Sequence, residues 1–79
     1  MSSKIRASRP ADRYHVGDVI SVSSSRFKHA ITDIDKLGWC VWAKPIGSRD
    51  KREKRIPHYD LWEVDVFMTE VYKSKMKNK

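Results

Sequence analysis

Cysteine is almost absent from this chain: Cys40 stands alone. One thiol excludes an intramolecular disulfide framework and a cysteine-based zinc centre. Its place inside an apolar stretch, with no base beside it, points to a buried thiol rather than a nucleophile. The histidines are few and scattered: His15, His29 and His58 show neither His-x-x-x-His nor His-Glu spacing. No apolar run approaches the roughly 20 residues of a membrane span, and no signal-like apolar stretch follows Lys4. Glycine is scarce too, at three residues, and there is no Gly-rich phosphate loop, nucleophile elbow or kinase-like signature. An enzyme is therefore not expected, nor a metal or cofactor, and a cytoplasmic protein off the membrane is. What the chain does have is positive charge, 17 basic against 10 acidic residues for a net +7. Such a balance favours polyanions: nucleic acid, an acidic protein surface or anionic lipid.

At 79 residues the chain supports one domain. Residues 1–13 are polar, with Lys4, Arg6, Arg9 and Arg13 spread among Ser, Ala and Pro10. Proline discourages a helix there, so a flexible basic arm is expected. The folded domain is expected over 14–72, followed by a basic tail over 73–79 that carries four lysines.

Within the domain the pattern is that of short strands. Val16, Ile20 and Val22 fall on one face of an extended segment and Val19 on the other, behind a Gly17-Asp18 turn signal. Ser23-Ser24-Ser25 then makes a loop. From Phe27 to Asp35, Ala30, Thr32 and Ile34 alternate with Phe27, His29 and Ile31. Gly38 is suited to positive φ at the next turn. Trp39, Val41 and Ala43 alternate with Cys40 and Trp42, so one aromatic is expected inside and another outside or under a terminal segment. A polar loop over 47–55 leads to a short strand ending at Ile56-Pro57. The segment 62–66 reads as a closing strand and 67–75 as a short helix, with Asp60 and Glu63 as a candidate capping box. The fold expected is mainly β, a single small five-stranded barrel.

Two segments resemble known small barrels. Val16-Gly17-Asp18-Val19-Ile20-Ser21-Val22, followed by Arg26-Phe27-Lys28 and the strand to Asp35, resembles a diverged KOW-type motif. Ile56-Pro57-His58-Tyr59-Asp60-Leu61 resembles the turn before the last strand of SH3-like barrels. Where KOW motifs usually carry glycines after the Phe-Lys step, this sequence has His29 and Ala30. The resemblance implies an SH3-like barrel that contacts RNA, a ribonucleoprotein or transcription machinery through its loops, with Arg26 and Lys28 in the nearest equivalent of the contact loop.

The stretch Arg49-Asp50-Lys51-Arg52-Glu53-Lys54-Arg55 holds five basic and two acidic residues. The candidate nucleic-acid-binding residues are therefore Arg26, Lys28, Arg49, Lys51, Arg52, Lys54 and Arg55 on phosphates, with Trp42 as an aromatic that stacks on a base. Trp39 and Trp62 are expected to fill the core, whereas Trp42 is divided between core and surface. The first reading is a nucleic-acid module, for DNA or RNA. A second is a protein-interaction module, of the kind a phage or mobile element encodes, that docks on an acidic surface of host transcription or translation machinery. A third is a methyl-lysine reader with a cage of Tyr59, Trp62 and Asp60.

Overall fold

The computed structural model describes residues 10–77. Five antiparallel strands form one sheet: β1 (Val19–Val22), β2 (His29–Ile34), β3 (Cys40–Pro45), β4 (Lys54–Pro57) and β5 (Leu61–Val64). Their spatial order is β4-β3-β2-β1-β5. A 3₁₀ turn (His58–Asp60) links β4 to β5, and a helix, α1 (Val66–Lys77), ends the described chain. The sheet is not a closed barrel: β4 and β5 remain its two edges, joined by the 3₁₀ turn and not by a ladder. Among the described residues no helix is long and apolar enough to cross a membrane.

The core lies on one face of the sheet, where Ile20, Ile31, Val41, Ala43 and Ile56 pack together with Ile34, Leu61 and Val64 at their margin. Each fully buried aliphatic side chain contributes about 1.5–3 kcal/mol. Within residues 10–13, expected to end a flexible arm, Ala11 instead belongs to this core. Pro10–Arg13 form a 3₁₀ turn, the Ala11 N–H donates to Gly38 O at 3.0 Å, and Ala11 and Tyr14 are buried over the sheet. Gly38 takes φ +78°, a conformation that suits glycine. Residues 1–9 and the tail beyond Lys77 lie outside the described residues.

Two β-bulges break the expected alternation. On β2, Ile31 faces Ala43 and Asp33 faces Trp42, so Thr32 is the extra residue, and both Ile31 and Ile34 turn to the core. On β5, Glu63 faces Ser21 and Leu61 faces Val22, which leaves Trp62 as the extra residue. Such a bulge re-aims side chains. Leu61 and Val64 therefore keep the core while Trp62 is 67% exposed, against the expectation that it fills the interior. Trp39 is also outside, at 53% exposure. It precedes β3 and meets His58 edge-on, with ring centroids 5.2 Å apart. Val16, expected on the core face, is exposed in the turn ahead of β1.

The other face of β1 and β2 is covered as well. Val19 and Ala30 oppose each other in register and both are buried. The Val19 N–H donates to Thr69 Oγ1 of α1 at 2.7 Å, which seats the helix there. The helix starts one residue earlier and runs two residues further than expected, and Asp65, not Asp60, caps it. Asp65 Oδ1 accepts from the Met68 N–H at 2.9 Å, as an N-cap side chain does.

Candidate nucleic-acid interface

Asp50 organises the β3–β4 loop. Its Oδ1 accepts from the Arg52 N–H at 3.0 Å and from Arg52 Nε at 3.1 Å, and its Oδ2 pairs with Lys54 Nζ at 3.3 Å. The Arg52 guanidinium, then the Arg52 N–H and Lys54, hold the Asp50 carboxyl well below the usual carboxylate range. The same contact pushes Arg52 upward. Glu53 takes a hydrogen bond from the Thr32 hydroxyl. Two of the expected phosphate ligands, Arg52 and Lys54, are thus partly neutralised by Asp50. Arg49, Lys51 and Arg55 are exposed with no ion-pair partner among the described residues. Lys54 and Arg55, expected in the loop, belong to strand β4.

In the β1–β2 loop the two expected cations differ in role. Lys28 Nζ pairs with Asp65 Oδ2 at 3.0 Å and donates to Ser21 Oγ at 2.8 Å. It fastens the end of the β1–β2 loop to the helix cap, so its charge is paired within the fold. Arg26 is exposed, with its guanidinium carbon 5.5 Å from the centre of the Phe27 ring. The loop itself is anchored by Asp60, which accepts from Ser23 Oγ at 3.1 Å and Ser24 Oγ at 3.4 Å.

The sheet brings these two loops together. The start of β2 lies beside the end of β3, and the Ile46 N–H donates to Lys28 O at 2.8 Å where the loops depart. Trp42 is half-buried on the sheet face opposite the core. Arg55 stands directly across from it on β4 and Asp33 on β2. Lys44, two residues along the same strand and exposed, extends that face. Sequence reasoning missed Lys44, although its period of two from Trp42 was a usable signal. The helix does not add to this end. From Asp65 it passes Val19 at Thr69 and reaches Asp18, where Lys73 Nζ lies 3.8 Å from Oδ1, so it runs away from the loops.

Two concavities flank the β1–β2 loop. The larger, an open cleft of about 510 Å³, lies between this loop and β5 and has Phe27 and Trp62 on its border. The smaller, about 230 Å³, lies towards β4 and is bordered by Lys54, Arg55 and His29. His29 is buried; burial pushes its imidazole below 6.5, against the pull of the Phe27 carbonyl at 3.0 Å from Nδ1. The cage residues are otherwise engaged. Asp60 holds serines, Tyr59 meets His58 at 5.5 Å, and no ring contact joins Tyr59 to Trp62 among the described residues.

No protein-family model matches this chain, and neither a curated protein nor a solved structure does.

Proposed function

We propose that this chain is a small nucleic-acid-binding module of SH3-like fold, whose two basic loops grip the phosphate backbone of DNA or RNA. The strand order and the 3₁₀ turn ahead of the last strand support the SH3-like reading, in keeping with the KOW-type resemblance of the first two strands. One observation carries the function. The β1–β2 and β3–β4 loops leave the same end of the sheet side by side, and Arg26, Arg49 and Lys51 on them, with Arg55 in the first half of β4, carry charge without an ion-pair partner among the described residues. Cations that meet phosphates release counterions, so binding falls steeply with salt. Trp42, half-buried opposite Arg55, offers an aromatic edge on the neighbouring face. A ribonucleoprotein or transcription complex is the natural setting of such a module.

The test is a titration of the protein with short DNA and RNA at two salt concentrations, followed by NMR. Shifts are expected in residues 23–28 and 46–55 and in the Trp42 indole signal. Exchanging Arg26, Arg49, Lys51 and Arg55 together for Gln is expected to remove most of the affinity while the melting temperature stays within a few degrees. Binding that survives those four exchanges overturns the reading.

A second reading, docking on an acidic protein surface, has one observation in its favour. Trp39, His58 and Tyr59 form an aromatic row at the start of β3, the opposite end from the basic loops, with Tyr59 75% exposed. A protein partner lost on Tyr59→Ala and indifferent to nuclease and moderate salt is the result that selects it.

A further inference from the structure

We propose that the cleft between the β1–β2 loop and β5 seats one unpaired nucleobase, so that the module prefers single strands to duplex. This inference rests on the nucleic-acid reading above and assigns that reading its ligand class.

The argument starts from the bulge on β5. Leu61 and Val64 already supply the strand's core contacts, and the extra residue between Leu61 and Glu63 is the largest side chain available, turned outward. Trp62, 67% exposed, and the half-buried Phe27 put two aromatic side chains, from separate elements, on the border of one cleft of about 510 Å³. That space admits a nucleobase with room for its sugar. The polar groups of the cleft are mostly committed inside the protein. Lys28 is held by Asp65 and Ser21, Ser23 by Asp60, and Ser25 accepts from the Phe27 N–H. The floor is therefore poor at gripping phosphate. On the border, Arg26 is the cation without an ion-pair partner among the described residues, and it lies over the Phe27 ring. Glu63, on the border by Trp62, repels phosphate and keeps the backbone on the Arg26 side. Flat rings inside with a cation at the rim suit a stacked base whose phosphate stays outside.

Position links the cleft to the phosphate grip. Val22 and Ser25 border both this cleft and the concavity of Lys54 and Arg55, so a strand leaving the cleft crosses one loop to reach the basic end. A base in a duplex is stacked on both faces and cannot meet Trp62 without being extruded.

The experiment measures fluorescence anisotropy of a labelled single-stranded oligonucleotide and of a hairpin duplex carrying the same number of phosphates, at low salt. The native chain is expected to bind the single strand more tightly. Trp62→Ala is expected to weaken single-strand binding about ten-fold and leave the duplex unchanged. Trp62→Phe, which keeps a ring, should retain most of the affinity. Trp62 is exposed, so a thermal melt of each variant is expected to match the native chain. Phe27→Ala serves as the second arm. Equal native affinity for the two ligands, or Trp62→Ala and Phe27→Ala both at native single-strand affinity, overturns the base seat. If the four-cation variant still loses both ligands in that case, the phosphate reading stands and the cleft alone falls. Absence of binding to either ligand at low salt overturns both.

Discussion

Asp50 sits inside the most basic stretch of the chain, and its carboxylate decides how many of those charges reach outward. It engages Arg52 through backbone and guanidinium and Lys54 through Nζ. Held well below the usual carboxylate range by Arg52 and Lys54, it is ionised at neutral pH. Replacing it with Asn keeps an oxygen for the Arg52 N–H and removes one negative charge. Asp50→Asn is therefore expected to raise oligonucleotide affinity several-fold at low salt and to steepen the salt dependence, both read from the same anisotropy titration. Unchanged affinity would mean that Arg52 and Lys54 face away from phosphate. Lys28 shows the converse. As a loop cation ahead of a strand it looks like a ligand, yet it is paired with Asp65 of a distant segment. A local charge count has no means of finding such a partner.

The Lys28–Asp65 pair also joins two elements, because Asp65 caps α1 as well. The Met68 N–H and then Lys28 favour the ionised carboxylate, so its pKa in the folded chain lies below the ordinary 3.8. A depressed carboxylate pKa adds stability that is complete above the unfolded value and is lost as pH falls through the folded one. Asp65→Ala is expected to lower the melting temperature by about 5 °C at neutral pH. It should also shrink the further loss as pH falls below about 4, a difference that melts at successively lower pH will read. A variant that melts like the native chain at neutral pH would show that the helix is held by Thr69 and its packing alone. The elements themselves were largely legible in the sequence. Val19–Val22, Val41 with Ala43, the turn at Gly38 and the buried Cys40 stand where alternation and turn chemistry put them. The illegible part depends on pairing across strands. Thr32 and Trp62 become bulged only when β3 and β1 set their register, and each flips the phase of the residues after it. The cap at Asp65 was missed because Asp60 and Glu63 offered a local box, whereas Asp60 is drawn instead to Ser23 and Ser24. Of the eight candidate site residues, the grouping of two loops at one end follows from antiparallel connectivity, and the internal neutralisation of Lys28, Arg52 and Lys54 does not.

For the whole molecule the question is whether binding reads the net charge of +7 or the charge at one end. Bulk charge acts at long range and is screened within about 8–10 Å at ordinary salt. Cations that touch phosphates each release a counterion, so the slope of log affinity against log salt counts contacts. On the proposed reading, four such cations, Arg26, Arg49, Lys51 and Arg55, would set a slope of about −3 for a single strand and nearer −4 for a duplex. The lysines of α1 run away from that end, and Lys73 is committed to Asp18, so they add little. The native chain is therefore expected to give a slope of about −3 on a single strand, and Lys75→Gln, on the helix, to leave that slope unchanged. A base seated against Trp62 would contribute no counterion, so Trp62→Ala should shift the line down without altering its gradient. A slope of about −5 or steeper would bring in further cations, with Lys44, exposed near the end of β3 on the Trp42 face, as the first candidate. A slope near zero would remove the phosphates from the interface and leave an acidic protein surface as the partner to pursue.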